Sequence, residues 1–440
     1  MERIKIVFIG AGSASFGRAN IANIVSSQKL KDKEVLVSLV DIDEVALDRT
    51  YRFAQILKQY YKSKVNFEAT TERKKALPQA NYVITAVARK RMELWKQDFY
   101  IPLSYGFKQV YGENGGPGAA FHTLRSIHLI LPIARDMEDL CPNALLINYS
   151  NPESRVCLAV NKLTNIRVIG LCHGAFGTLR AVAEILGREE KDIDITIGGI
   201  NHFHWVLKIE DKNTGKDLYP QFHKRMERMK GEVRVKGVSG GPLTYLMYKK
   251  FGLFPLPADN HIGEYVSFGY EVTGPHWLYE RRAPGWDTTS DPFIHKIQEV
   301  VEGKKPLSDE LARPDPYERA IPIIEGIEFD YNRKELSVNV PNEGRAVANL
   351  PEDAIVEIPV LVNREGVHPI SVGPLPEAIA EMCRRQITIQ NLLIQAYKER
   401  SKELLLQALI IDPVVDSIPR AEKMMEEMLK LQADFLPELK

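Results

Sequence analysis

No stretch of this 440-residue sequence approaches the roughly 20 consecutive apolar residues that a membrane-spanning helix requires, so no membrane role is expected. Cysteine is scarce: Cys141, Cys157, Cys172 and Cys383 are too few and too scattered for a disulfide framework. A reducing compartment is expected, in which a special cysteine would act as a thiolate. Neither sign of charge is in excess, since Lys plus Arg and Asp plus Glu each number 58, which removes the electrostatic reason to propose nucleic acid as a partner. That balance still permits a small anionic ligand, which needs only one or two local cations. Internal repeats, low-complexity tracts and long Pro/Ser linkers are missing. The opening MERIKIVFIGAG runs straight into a strand without secretory-signal architecture, and a cytoplasmic location is expected.

What is there reads as α/β. Hydrophobic residues make up 44% and charged residues 26%, which suits a soluble globular chain. The length calls for two fused lobes or one large domain. In the first half, β-branched apolar runs alternate with helical patterns, which predicts βαβ units and a mainly parallel sheet. Strands are predicted over residues 4–9 and 34–40, then a helix over 44–62. The near-continuous apolar runs at 82–87, 144–148 and 167–171 predict strands covered on both faces. After Gly198-Gly199 the texture changes to a strand at 201–210, basic helices, further strands at 336–340 and 354–360, and a mostly helical tail over 376–439 with breaks near Pro413 and Pro419. The expected fold class is a Rossmann-like, doubly wound, mainly parallel sheet over residues 1–198. A second α+β lobe with a helical C-terminus follows over 199–440, carrying substrate, metal and oligomerisation contacts.

Gly10-Ala11-Gly12-Ser13-Ala14-Ser15 follows the first strand and opens a helical stretch. A dinucleotide's pyrophosphate needs such a place: backbone without Cβ atoms, at a helix N-terminus whose N–H groups point at the phosphates. Ser15 stands where the third glycine of GxGxxG would be, and a glycine turn of this kind also serves as a plain tight connection. Asp41 ends the second strand about where a ribose-binding acid sits; its other possible job is to cap the helix that starts near Glu44. Together, Gly10, Gly12, Ser13 and Asp41 favour NAD over NADP, because a carboxylate there repels a 2′-phosphate.

Cys172-His173-Gly174 lies at the carboxyl end of a strand, where open α/β sheets place ligands, although a cysteine there also serves as buried filler. Asn201-His202 ends the apolar run Ile193–Ile200. A thiolate and an imidazole suit a soft-to-borderline divalent metal, but their spacing is no metal motif by itself. Asn151, in NYSNP, precedes a proline and is pushed out of the helical region, which frees its amide to face a ligand or to cap the next helix. Asp259-Asn260-His261-Ile262-Gly263-Glu264-Tyr265 gathers carboxylates, an imidazole and a phenol, a density that suits acid–base work or a solvated polar loop. Arg89, Lys90 and Arg91 follow the 82–87 strand at its ligand-facing end, either as a cation for a carboxylate or as a solvated basic turn.

Taken in order, the GAGS turn with the LVDID strand end, NYSNP, CHG, GINH, DNHIGEY, and VNVPNEG leading to NLPEDAIVEIPVLV resemble glycoside hydrolase family 4, whose members depend on NAD and a divalent metal. The resemblance runs from residue 5 to about residue 375. It implies a route unlike two-carboxylate glycoside hydrolysis. NAD takes hydride from C3 of the sugar, a base removes the acidified C2 proton, the aglycone leaves C1, water adds, and the hydride returns. The metal, with manganese the favoured candidate, chelates the C2 and C3 oxygens as a Lewis acid.

Carried over motif by motif, the resemblance implies that Cys172 and His202 bind the metal and that Asn151 binds sugar hydroxyls, with Asn201 as support. Asp259 is the implied base, with Tyr265 as the alternative, and His173 or Glu113 is the acid. His173-Gly174 follows the cysteine where phospho-glycosidases show Asp-Met-Pro or Asn-Val-Pro, which implies an unphosphorylated α-glycoside. DNHIGEY is similar to the α-galacturonidase pattern, and Arg89 and Lys90 could hold a uronide carboxylate. An α-uronide is therefore expected, with an α-glucoside or α-galactoside as the alternative. From other classes, an NAD-dependent 2-hydroxy-acid dehydrogenase would need no metal, and a non-catalytic dinucleotide sensor would leave Cys172 and His202 unexplained. A homo-dimer or homo-tetramer is expected.

Overall fold

The alternating apolar runs pair into one nine-stranded sheet covered by helices on both faces. The computed structural model describes residues 3–235, 240–275 and 292–440. The strands are β1 (Ile4–Ile9), β2 (Val35–Val40), β3 (Asn66–Thr70), β4 (Tyr82–Thr85), β5 (Leu145–Asn148), β6 (Val168–Gly170), β7 (Ile193–Ile200), β8 (Phe203–Asp211), β9 (Phe254–Pro255), β10 (Arg333–Pro341), β11 (Ile355–Asn363) and β12 (Gly366–Pro369). The large sheet runs β12-β11-β10-β6-β5-β4-β1-β2-β3, and β7-β8-β9 form a separate small sheet. Strands β3, β2, β1, β4, β5 and β6 are parallel, whereas β10, β11 and β12 join antiparallel.

Alternate residues of β1 explain why its sequence is apolar throughout. Ile6 and Phe8 face one core with α1 (Ala14–Ser26) and α2 (Glu44–Tyr61), while Val7 and Ile9 face the other. That second face is covered by α4 (Gly116–Leu140) and α5 (Glu153–Leu163); α3 (Arg91–Ser104) precedes α4 and packs against it. The small sheet packs its own core against α6 (Gly174–Leu186). Helix α7 (Pro242–Phe251) lies between β8 and β9. Residue 198 lies inside β7, and β10 to β12, although beyond it, extend the first sheet. The helical tail is α8 (Glu377–Glu399), α9 (Lys402–Ile410) and α10 (Ile418–Leu431). A left-handed Arg400 separates α8 from α9, a break that no proline or glycine announces.

The tail is tied to the first sheet by a buried charge cluster. Asp98 of α3, fully buried, accepts from Arg125 of α4 at 2.9 Å and from Gln432, just past α10, at 3.0 Å. Asp98→Ala is expected to destabilise the protein by roughly 3–5 kcal/mol, because it leaves a buried guanidinium uncompensated. Urea unfolding checks this, and a variant as stable as wild type would show the cluster to be dispensable.

Candidate active site

The chain turns from β1 into α1 at the point where strand order reverses, with β2 on one side and β4 on the other, which is where open α/β sheets bind ligands. Gly10 has φ +89°, and a Cβ there would lie 2.2 Å from the Ala86 carbonyl oxygen, so only glycine fits. Asp41 secures the turn: one carboxylate oxygen accepts from the Gly12 N–H at 2.7 Å, the other from the Asp43 N–H at 3.0 Å. The capping of α2 falls to Asp43, which accepts from the Val45 and Ala46 N–H groups, both at 3.0 Å. Ser13 is the N-cap residue of α1. A glycine for close helix–strand packing is present after all, two residues later than the fingerprint places it: a Cβ on Gly17 would lie 2.8 Å from the Ala11 carbonyl oxygen.

Cys172 follows β6, and His202 sits in the two-residue turn between β7 and β8 with a left-handed φ of 61°. Both line a cavity of about 390 Å³ together with Asn151, Glu113, His173, Arg91 and His261. Burial, with the charge of Glu357 adding to it, pushes the Cys172 thiol up to about 12. Burial, then His261 and His204, hold His202 well below the usual imidazole range, so it stays neutral, as a metal ligand must. The His202 Nδ1 is buried without a hydrogen-bond partner. Neither amide atom of Asn201 forms a normal hydrogen bond, although its amide lies close enough to draw the Cys172 thiol down slightly. Among the described residues no three His, Cys, Asp or Glu side chains gather into a metal cluster. A soft thiol, a neutral imidazole and unpartnered polar atoms at one cavity fit a divalent ion that takes its remaining ligands from water or substrate.

His173 begins α6, with its Nε2 3.1 Å from Oε1 of buried Glu318. Burial alone would lower its pKa, but Glu318 and then Asp315 more than offset this and raise it. Glu113 accepts from Arg91 at 3.1 Å and from the Asn114 amide at 3.2 Å. Its loop is held by Glu264, whose carboxylate accepts from the Asn114 and Gly115 N–H groups at 2.9 and 3.3 Å. The His261 ring lies against that of His202, with centroids 3.9 Å apart. The sequence motifs do not single out Glu318, Glu264 or His261. For Glu318 no local signal exists, because its partners His173, Tyr149 and Asn20 are remote in sequence.

Four expected residues stand elsewhere. Asp259 does not line the cavity; its carboxylate accepts from the N–H groups of Gly241, Leu243 and Thr244 at 3.1, 2.9 and 2.8 Å and from the Thr244 hydroxyl at 2.6 Å. It thereby anchors the N-terminus of α7, where a carboxylate is favoured by the helix dipole. Tyr265 is also behind the wall, donating its hydroxyl to the Asn201 carbonyl at 3.1 Å. Arg89 lines a neighbouring cavity of about 330 Å³, and Lys90 points at Glu93, 3.4 Å away. The register of the turn gives the cavity Arg91 instead.

Parallel β–α units with a glycine turn at the reversal of strand order, feeding a thiol and an imidazole into one cavity, define a Rossmann-type α/β enzyme scaffold. The fold matches a solved 6-phospho-α-glucosidase from gut microorganisms, in complex with NAD and Mn2+, with TM-score 0.83 over 100% of both chains at 23% identity. Residues 5–188 match the model of family 4 glycosyl hydrolases and residues 197–415 that of their C-terminal domain. The chain belongs to family 4 of the glycosyl hydrolases and is a glycosidase. It is similar to an α-glucosidase of Erwinia rhapontici, 33% identical over 99% of both chains, and to an α-galactosidase of Bacillus subtilis, 30% identical over 99% of this chain and 100% of that one. Among the described residues, no helix is long and apolar enough to cross a membrane.

The position of Asp259 yields a prediction. Asp259→Asn should lower the unfolding free energy by about 1–3 kcal/mol, since an amide nitrogen cannot accept the helix N–H groups that the carboxylate holds. Wild-type stability combined with lost turnover would return Asp259 to the role of base.

Proposed function

We propose that this protein hydrolyses unphosphorylated, neutral α-hexosides, such as α-glucosides or α-galactosides, with NAD and a divalent cation, manganese being the first candidate. The observation that carries the neutral-sugar reading is that Arg91, the one Lys or Arg among the described cavity-lining residues, is paired with Glu113, and that His173 is paired with Glu318. Among the described residues, no unpaired Lys or Arg lines the cavity to receive a sugar phosphate or a uronide carboxylate. The α-glucosidase and the α-galactosidase named above act on neutral α-glycosides by their names, which supports the same reading. One observation favours an α-uronide instead. Arg91 is about half exposed, so a carboxylate could share its guanidinium with Glu113.

Bound at these residues, NAD supplies reversible hydride acceptance, and the cation supplies Lewis-acid polarisation of sugar oxygens. The Gly10–Gly12 turn and the start of α1 receive the pyrophosphate, with Asp41 beside the ribose. Cys172 and His202 hold the cation, and Asn151 offers its amide to sugar hydroxyls. Glu113, the one carboxylate among the described cavity-lining residues, accepts the proton in place of Asp259. His173, whose pKa Glu318 raises, donates to the leaving oxygen.

Assay against p-nitrophenyl α-glucoside, α-galactoside, α-galacturonide and α-glucuronide, with NAD and Mn2+ under reducing conditions, tests this. The neutral glycosides are expected to show the higher kcat/KM, with activity lost after EDTA treatment and cofactor stripping. A uronide preference would move the reading to Arg91, and full activity without metal and cofactor would overturn it. Glu113→Gln is expected to lower kcat by roughly 10²–10⁴-fold while leaving Mn2+ and NAD affinities near wild type; retained turnover would place the proton acceptor elsewhere.

A further inference from the structure

A chain of buried hydrogen bonds runs beneath the two residues read as cation ligands. His204, on β8 two residues beyond His202, is fully buried. Its Nδ1 lies 2.9 Å from Oε2 of Glu357 on β11, and its Nε2 lies 2.9 Å from the Thr178 hydroxyl on α6. The Thr178 hydroxyl also lies 3.0 Å from the Gly174 carbonyl oxygen. The other Glu357 oxygen accepts from the Ser337 hydroxyl on β10 at 2.8 Å. Glu357, His204 and Thr178 have no exposed surface, and Ser337 is 2% exposed.

This chain joins the two segments that carry the ligands. Toward α6 it ends on Gly174, whose N–H donates to the Cys172 sulfur at 3.3 Å. Toward the small sheet it grips β8 immediately after the His202 turn. A buried ionisable pair contributes less to stability than well-packed apolar side chains of the same volume, so its presence between these segments calls for a role beyond packing. Two ligands on separate elements must otherwise be ordered at the moment of binding, at a cost in conformational entropy.

We propose that Glu357, His204 and Thr178 are positioning residues that fix Cys172 and His202 at the separation a divalent cation requires. The inference rests on the reading of those two residues as ligands. Partners behind metal ligands typically account for 10–100-fold in affinity.

Thr178→Val cuts the link between β8 and α6 without changing shape or charge, and Thr178→Ser keeps the hydroxyl. Mn2+ affinity is read by electron paramagnetic resonance titration of the full-length protein, and NAD affinity by fluorescence titration. Thr178→Val is expected to bind Mn2+ about 10–100-fold more weakly with NAD affinity within twofold of wild type, and Thr178→Ser to restore Mn2+ binding. Thr178→Ala gives the same comparison should the valine variant not fold. Unchanged Mn2+ affinity overturns the proposal. So does a parallel loss of NAD affinity and thermal stability, which would mark the chain as ordinary core structure. If wild type binds no Mn2+, or Cys172→Ser binds it equally well, the ligand reading itself has failed and this inference falls with it.

Discussion

The antiparallel pairing of β10 against β6 is the constraint on which the site depends. Without it β6 would be an edge strand, with unpaired backbone groups beside the residues that lead into Cys172. The pairing is short, registered at Asn339 opposite Gly170, but it brings the chain back from beyond residue 333 to complete a sheet begun at residue 4. With β10 and β11 come Ser337 and Glu357, which support the Cys172 turn from below. The halves matched by separate family models are therefore one structure at the site: the first contributes Cys172, the second His202, and neither builds the cavity alone.

The parts legible in the sequence are those set by local physics. Buried parallel strands must be apolar on both sides, so the runs at 82–87 and 144–148 could be read as strands directly. The glycine turn and Asp41 are equally local, because β1 and β2 lie side by side and the acid needs only to end its strand. That Cys172 and His202 line a cavity is legible because each sits at the end of an apolar run, and strand ends are where such sheets expose side chains.

The rest is set by contacts between remote segments. The family resemblance implies Asp259 as the base, but its partners are the N–H groups of Gly241, Leu243 and Thr244, and nothing in DNHIGEY shows that a helix begins beside it. In the basic run 89–91, Arg91 and not Arg89 lines the cavity, with the left-handed backbone of Lys90 between them. Glu318 lies 145 positions from His173 in sequence, yet it raises that imidazole's pKa.

This division bears on specificity. The glycine turn is built from neighbouring strands and backbone N–H groups, so its geometry follows from the sheet and leaves little freedom to vary. The cavity that Cys172 and His202 line is assembled from the ends of several strands and loops, with Arg91 and His173 each paired to a carboxylate from another segment. Removing Glu113 would leave the Arg91 guanidinium, which is charged at any working pH, without that partner, whereas removing Glu318 would take away what raises the His173 pKa and favour a neutral imidazole. Under the proposed function Glu113 is also the proton acceptor, so the substitution that would suit Arg91 to an anionic sugar would remove the base as well, and charge selection and turnover are coupled through one carboxylate.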